Sequence, residues 1–184
     1  MKGILGVVLA GGLSSRFGTD KAQALYRGRT LLDWSVGRLD GFADDVVVAG
    51  RAHPAYAGVE DRPRAGLGPL GGIAGAMAAA AERGLGHVLS LPCDTPDVPR
   101  ALLEELCGEK RAAYAEGCPV IGLWPSALAD ELEARLLRTG GRSVRGWAES
   151  IGARPVGIGL NIANVNRAED LERLARDDRL PFSD

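Results

Sequence analysis

The sequence lacks the features of a secreted, membrane-spanning or metal-cluster protein. Its three cysteines, Cys93, Cys107 and Cys118, form no CxxC pair, and only two histidines are present. Neither a disulfide framework nor a zinc site is therefore predicted. No run approaches the roughly 18 apolar residues of a membrane span, and the apolar start leads into glycines without a cleavage site. These absences predict a cytoplasmic protein that has no membrane interaction.

The chain also lacks a strong charge of either sign. It has 22 Lys and Arg against 24 Asp and Glu, which gives a formal net charge of -2. This balance removes the general electrostatic reason to expect nucleic acid or an anionic membrane as a partner. An anion must therefore bind at a local site. Glycine is in marked excess, at 26 residues of 184, well above the usual ~7 %.

Short apolar runs alternate along the chain with stretches of helical periodicity. The 184 residues fit one domain, 1–184, around a single core. Apolar runs predict strands at 4–9, 46–49, 87–91, 119–124 and 155–162. Helices are predicted at 31–39, 70–82, 99–106, 127–137, around Trp147 and at 168–176, while 10–28 and 51–68 are interpreted as loops. This order predicts an α/β fold, a three-layer α/β/α sandwich with a mostly parallel sheet.

The strongest candidate for chemistry is the loop after the first predicted strand. It reads Leu9-Ala10-Gly11-Gly12-Leu13-Ser14-Ser15-Arg16-Phe17-Gly18-Thr19-Asp20-Lys21, at a strand end, where open α/β sheets bind ligands. Glycines let backbone N–H groups approach phosphate oxygens, and Arg16 and Lys21 can neutralise a triphosphate. No Gly-Lys-Ser/Thr follows, so this is not a Walker loop. A nucleoside triphosphate site is predicted, with an ordinary flexible loop as the alternative.

A second strand end carries Leu91-Pro92-Cys93-Asp94-Thr95-Pro96. Asp94 is predicted to hold Mg²⁺, because that ion prefers hard oxygen ligands and shares them with substrate phosphates. The alternative is that Asp94 only caps the turn before Pro96. Cys93 has no neighbouring histidine to activate it, so it is predicted to be a small packing residue rather than a nucleophile.

The third candidate is the glycine-rich segment that leads into the alanine-rich helix, Ala65-Gly66-Leu67-Gly68-Pro69-Leu70-Gly71-Gly72. It formally matches the dinucleotide fingerprint GxGxxG, but no strand precedes it and Pro69 interrupts the turn. A helix N-terminus with bare backbone can still accept an anion or support a nucleobase and ribose. Gly68, Pro69 and Leu70 are therefore predicted nucleotide contacts, with close helix packing as the alternative.

Asparagines cluster after the last predicted strand, at Asn161, Asn164 and Asn166. The carbonyl oxygen of Asn164 could complete a magnesium shell. Turn formation is the alternative, because asparagine is favoured in turns.

Together these motifs resemble those of the molybdenum cofactor guanylyltransferase family, a MobA-like group of nucleotidyltransferases. Four motifs match in order over nearly the whole chain: 9–12 with Arg16, Gly18, Asp20 and Lys21; 68–72; 92–96; and 164–166 with Glu169-Asp170-Leu171. The resemblance implies the Rossmann-like fold of nucleotide-diphospho-sugar transferases. Related cytidylyltransferases usually carry Ala-Gly where this chain has Gly11-Gly12, and that difference points to GTP.

The resemblance implies a magnesium-dependent enzyme that transfers GMP from GTP to the phosphate of molybdopterin and releases pyrophosphate. The product would be the molybdopterin guanine dinucleotide cofactor. GTP, molybdopterin and, transiently, other molybdenum cofactor proteins would be the partners. The residues implied to bind GTP are Leu9, Ala10, Gly11 and Lys21; Asp61 would contact the nucleotide and Asp94 would bind Mg²⁺.

Two departures from the family pattern stand beside this match. The chain reads Ala49-Gly50-Arg51 where the family often has Asn, and Arg167-Ala168 replaces the usual Thr-Pro after Asn166. One alternative is a cytidylyl- or other nucleotidyltransferase that acts on a different phosphorylated acceptor. The other is a non-catalytic nucleotide-binding module, which would bind nucleotide without releasing pyrophosphate.

Overall fold

The structure is a computed structural model that describes residues 3–11, 20–108, 111–139, 141–157, 159, 162, 164–165 and 167–177. The strands in these ranges are β1 Ile4–Leu9, β2 Leu25–Tyr26, β3 Arg29–Thr30, β4 Asp45–Ala49, β5 Ala57–Val59, β6 His87–Pro92, β7 Ala113–Ala115, β8 Cys118–Pro125 and β9 Arg154–Val156. The helices are α1 Leu31–Arg38, α2 Pro69–Glu82, α3 Arg100–Gly108, α4 Ala129–Thr139, α5 Val144–Ser150 and α6 Ala168–Asp177. Short 3₁₀ turns cover Lys21–Gln23 and Ser126–Leu128.

The main sheet of the described residues has seven strands in the order β5-β4-β1-β6-β8-β7-β9. Its neighbours are parallel except at β8, which runs antiparallel to both β6 and β7. The carboxyl ends of β1, β4 and β6 therefore lie side by side at one edge of the sheet. This is the edge at which α/β sheets bind ligands.

The core lies on both faces of this sheet. Leu5 and Val7 of β1 belong to one cluster with residues of α2, α4 and α5. Ile4 and Val8 belong to a second cluster with residues of α1 and α3. All four side chains are fully buried, because alternate side chains of a strand point to opposite faces. The predicted three-layer arrangement and mostly parallel sheet are confirmed.

Several predicted boundaries need correction. The segment 51–68, interpreted as a loop, contains edge strand β5, and 10–28 contains β2. Strand β2 pairs with β3 through Arg27 and Gly28, whose positive φ values of 49° and 77° give a tight hairpin. The last predicted strand ends at Val156 instead of 162, and Gly159 has a φ of +67° that no strand adopts. Strand β7 was not predicted.

The close seating of α2 on the segment after β5 depends on Gly75. A Cβ at this position would overlap the carbonyl oxygen of Glu60. In an open helix, Gly→Ala stabilises by about 1 kcal/mol. For Gly75→Ala we expect the steric overlap with Glu60 to outweigh the gain in helix propensity. The free energy of unfolding, measured by urea denaturation, should therefore fall by about 1–3 kcal/mol.

The matched control for this prediction is Gly37→Ala in α1. A Cβ there would meet only the end of the flexible Arg29 side chain, at 3.4 Å. The free energy of unfolding should therefore rise by up to about 1 kcal/mol. Equal stabilisation by both substitutions would contradict the close approach of α2 to Glu60.

No helix in the described ranges combines the length and the apolar character that crossing a membrane requires.

Candidate active site

Three strand ends meet where the sequence places its first two motifs. The Ala10 amide donates to the Ala49 carbonyl oxygen at 2.9 Å, which joins the end of β1 to β4. On the other side, the Cys93 amide donates to the Leu9 carbonyl oxygen at 3.1 Å. The loops that leave β1, β4 and β6 therefore begin next to one another.

The loops after β1 and β4 touch through two glycines. Gly50 has a φ of +86°, and a Cβ on it would overlap the backbone of Gly11. A Cβ on Gly11 would in turn lie 2.9 Å from the Gly50 Cα. The family often has Asn in the loop after this strand, where the present chain reads Ala49-Gly50-Arg51. Here a residue larger than glycine at position 50 would push the two loops apart.

The central contact of this edge is an ion pair between the first and second motifs. Lys21 Nζ donates to Asp94 Oδ2 at 2.9 Å, and the two side chains are 16 % and 27 % exposed. Lys21 is held by a 3₁₀ turn that Asp20 caps, because Asp20 Oδ1 accepts from the Ala22 amide at 3.2 Å. Lys21 is therefore held next to Asp94, and the functional role of its loop stays a prediction.

A second ion pair, which the sequence reasoning missed, lies beside the first. Arg51 donates through Nη1 to Asp20 Oδ1 at 2.7 Å and through Nη2 to Asp20 Oδ2. The Arg51 guanidinium lowers the pKa of Asp20, and Asp20 raises the pKa of Arg51. Both groups are therefore ionised at neutral pH. The sequence feature that could have indicated this ion pair is the cationic side chain directly after Gly50.

The amino end of α2 approaches the same region. Gly68 precedes the helix with a φ of +70°, and Pro69 is its first residue. Asp61 Oδ2 accepts from the Gly66 amide at 3.2 Å. A Cβ on Gly72 would come within 2.7 Å of Leu9 Cδ2, so this turn of α2 packs directly on the end of β1.

The structure brings Asp61 and the third motif close to the first loop. Asp61 Cγ would lie 3.0 Å from a Cβ on Gly71. Leu70 is fully buried. The roles of Asp61, Gly68, Pro69 and Leu70 stay predictions.

The fourth motif also reaches this edge. The Val165 amide donates to the Asp94 carbonyl oxygen at 2.9 Å, and the preceding Asn164 is exposed. Asn164 is therefore adjacent in the chain to a residue that contacts Asp94, while its role as a metal ligand stays a prediction. Gly12 and Arg16, and the neighbouring Asn161 and Asn166, lie outside the described residues.

Cys93 is a neutral packing residue, as predicted. Burial and, secondarily, the negative charge of Asp94 raise the pKa of its thiol to about 12. It packs against the core cluster that contains Leu89 and Leu91. A thiolate nucleophile is therefore not available at neutral pH.

The donor set at this edge suits a metal ion that arrives with a substrate. Among the residues that the structure describes, no group of three His, Cys, Asp or Glu side chains could enclose a metal. Mg²⁺ usually keeps several waters and is bound by one or two carboxylates together with substrate phosphates. Asp94 alone at a strand end fits that mode, and it does not fit a closed zinc or calcium cage.

Comparisons with known proteins agree with this architecture. Residues 6–151 match the model of the MobA-like NTP transferase domain. The molybdenum cofactor guanylyltransferase of Acidiphilium cryptum (strain JF-5) is 36 % identical over 178 residues, which cover 90 % of this chain and 91 % of the relative.

Two crystal structures show the same fold. Molybdopterin-guanine dinucleotide biosynthesis protein A from Archaeoglobus fulgidus has a TM-score of 0.74 at 24 % identity, over 95 % of this chain and 98 % of that one. A Mycobacterium tuberculosis H37Rv protein in complex with manganese has a TM-score of 0.64 at 20 % identity, over 95 % and 99 % of the two chains. With the family model matched over most of its length, the chain belongs to the MobA-like NTP transferases, a family of nucleotidyltransferases.

Proposed function

We propose that this protein transfers GMP from GTP to the phosphate of molybdopterin, releases pyrophosphate and forms the molybdopterin guanine dinucleotide cofactor. The Acidiphilium cryptum relative, which the alignment covers over 91 % of its length, is named molybdenum cofactor guanylyltransferase. The observation that carries the proposal is the 2.9 Å contact between Lys21 and Asp94 at the edge of the sheet. A cation that suits phosphates and a carboxylate that suits a metal thus lie side by side, which supports the proposal.

The reaction needs a divalent cation, and we propose Mg²⁺ on Asp94, with Asn164 as a further oxygen ligand. When bound, such an ion would offset the negative charge of the substrate phosphates. Lys21 would leave Asp94 for the β- and γ-phosphates and stabilise the charge that develops on departing pyrophosphate. Arg16, Gly12 and the amides of Ala10 and Gly11 are proposed to complete this phosphate site.

The nucleophile in this proposal is a phosphate oxygen of the acceptor, which attacks the α-phosphorus of GTP. The P–O bond to pyrophosphate breaks as the new P–O bond forms. A phosphate is already ionised at neutral pH, so no general base is required. The position of His87 is consistent with this, because His87 begins β6 opposite Ile4 and therefore lies at the other end of the strand from Asp94.

We propose that the guanosine moiety lies between the ends of β1 and β4 and the amino end of α2. Leu9, Asp61 and the turn of Gly68, Pro69 and Leu70 surround this position, and Asp61 offers a carboxylate to a nucleoside donor group. A guanine edge can donate hydrogen bonds from N1–H and from its exocyclic amine, and the two oxygens of one carboxylate can accept both. Cytosine lacks that pair of adjacent donors.

Nucleotide titration tests this assignment. Pyrophosphate release is measured with GTP, CTP, UTP and ATP at saturating Mg²⁺ and acceptor. We expect kcat/KM for GTP to exceed that for each other nucleotide by about 10²-fold, because a buried polar group left without a partner costs up to about 3 kcal/mol. A preference for CTP would replace guanylyl by cytidylyl transfer.

A further inference from the structure

The turn from Pro92 to Pro96, here called the Asp94 turn, is held by side chains of helix α1. Ser35 Oγ donates to the Pro92 carbonyl oxygen at 3.1 Å. Arg38 Nε donates to the Pro96 carbonyl oxygen at 2.8 Å. Ser35 and Arg38 are three positions apart in α1 and therefore lie on one face of the helix. That face binds both ends of the turn, and Asp94 lies between them.

Arg38 holds this part of the chain with two hydrogen bonds. Besides the contact of Nε with Pro96, its Nη2 atom donates to Asp97 Oδ1 at 3.1 Å. The donors belong to one rigid planar group, so together they fix the direction of the turn as well as its distance from α1. The Arg38 side chain is 33 % exposed, and its Cζ atom lies 6.0 Å from the centre of the Trp34 ring. A ring on the same helix therefore supports the guanidinium that holds the turn.

The contact of Ser35 is backed by a second donor. The Pro92 carbonyl oxygen also accepts from Thr95 Oγ1 at 3.2 Å, and Ser35 and Thr95 are both fully buried. Loss of the Ser35 hydroxyl would leave Thr95 bonded to Pro92. The larger effect on the turn is therefore expected from Arg38, which supplies two bonds itself.

Helix α1 also supports the cation that faces Asp94. The Leu31 amide, at the start of α1, donates to the Ala24 carbonyl oxygen at 3.0 Å. The Ala24 amide donates in turn to the Lys21 carbonyl oxygen at 3.1 Å. The 3₁₀ turn of Lys21 thus meets the start of α1, and the Asp94 turn meets its end. The ion pair of Lys21 with Asp94 joins two turns that are held by one helix.

We propose that Arg38 is a positioning residue for Asp94, which it holds where the carboxylate binds a divalent cation. The inference rests on the proposed function in taking Asp94 as the metal ligand. Groups that orient a metal ligand typically change the metal affinity by about 10- to 100-fold when they are lost. Without Arg38, the Asp94 turn has to be ordered when the cation binds, and this ordering lowers the affinity.

The positive charge of Arg38 would by itself have the opposite effect. A cation near a metal site repels the metal ion, so removal of that cation would tighten metal binding. Asp97 pairs with Arg38 at 3.1 Å and offsets its charge. The sign of the change in metal Kd therefore separates a positioning role from an electrostatic one.

The test measures the Kd of Mn²⁺ alone by electron paramagnetic resonance, with the full-length chain and without nucleotide or acceptor. Arg38→Met keeps an apolar stem and removes both donors, so it should raise the Kd about tenfold or more. Arg38→Lys keeps the charge without the planar pair of donors and should give an intermediate Kd. Ser35→Ala should raise the Kd by less than about threefold, because one of two hydrogen bonds to Pro92 remains.

Arg154→Met is the matched control. Arg154 begins β9 and pairs with Glu105 at 3.1 Å, at the other end of the strands from Asp94, and its side chain is 28 % exposed. Both Arg→Met variants should lower Tm by about 2–4 °C, whereas only Arg38→Met should raise the Mn²⁺ Kd. Asp97→Asn still offers an oxygen to Arg38, so it should leave the Kd within about threefold of normal.

Asp94→Asn distinguishes a failure of this proposal from a failure of the proposed metal site. If Asp94→Asn kept the normal Mn²⁺ affinity, Asp94 would not be the metal ligand, and both proposals would be wrong. If Asp94→Asn lost Mn²⁺ while Arg38→Met showed an unchanged or lower Kd, the metal site would stand and the positioning role would be overturned. An equal rise of the Kd in Arg154→Met would also overturn it, because a general loss of stability would then explain both.

Discussion

Asp94→Asn should lower kcat for pyrophosphate release by about 10³-fold while the protein remains folded. Asparagine keeps the size of the side chain and removes the negative charge that would bind the metal. It also removes the ion pair with Lys21 at 2.9 Å. Because both side chains are partly exposed, the loss of stability should stay at about 1 kcal/mol or less. Steady-state pyrophosphate release at saturating GTP and Mg²⁺, together with thermal unfolding, measures both effects.

Asp97→Asn provides the matched control, three residues downstream. Asp97 pairs with Arg38 at 3.1 Å and accepts from the Tyr26 hydroxyl at 3.2 Å, so its contacts are with the scaffold. We expect Tm to fall by about 2–4 °C and kcat to stay within about threefold of normal. Near-normal pyrophosphate release from Asp94→Asn would remove Asp94 from the proposed metal site.

Lys21→Ala should lower kcat/KM by about 10²- to 10³-fold, the scale observed when one charge-stabilising donor is lost. The cation would be missing both when the triphosphate binds and when charge develops on pyrophosphate. Arg83→Ala, at the opposite edge of the sheet, should leave kcat/KM unchanged. Wild-type turnover in Lys21→Ala would contradict the phosphate-binding role of the loop.

The same variant should have the opposite effect on metal binding without nucleotide. Lys21 occupies Asp94 Oδ2 in the free protein, so its removal frees a carboxylate oxygen and lifts a repulsive charge. The affinity for Mn²⁺, followed by electron paramagnetic resonance, should rise about tenfold in Lys21→Ala. Asp94→Asn should abolish this binding. Loss of Mn²⁺ binding in Lys21→Ala would show that Lys21 supports the metal site instead of competing for it.

The fold was predictable where a buried element corresponds to a long apolar run in the sequence. Strand β1 and helix α2 have nearly the predicted bounds, because Ile4 to Leu9 are buried on both faces and the alanine-rich stretch favours helix. The predicted helix around Trp147 is confirmed as α5, which Ser143 caps by accepting from the Gly146 amide at 3.1 Å. These features depend on local composition, which a sequence shows directly.

Very short strands were not predictable in the same way. Strand β5 has three residues, Ala57–Val59, and β7 has three, Ala113–Ala115. Segments this short show neither alternation nor a long apolar run. Strand β5 depends on its pairing with β4, and β7 on its pairing with β8 and β9, which are tertiary contacts.

The candidate site was predictable as separate motifs, and its contacts were not. Lys21 and Asp94 each follow a recognisable strand end, so both were singled out, but their contact spans 73 residues. Asp20 and Arg51 were each noted, but as members of different motifs that are 31 residues apart. The parallel pairing of β1 with β4 brings them together; the predicted parallel sheet did not specify which side chains would then meet.

The central claim is tested most directly by GTP-dependent pyrophosphate release in the presence and absence of molybdopterin, with Mg²⁺ at saturation. The proposal predicts that pyrophosphate forms with GTP only when molybdopterin is present, in equal amount to the guanine dinucleotide product. Pyrophosphate release that does not depend on molybdopterin, or none in its presence, would contradict it.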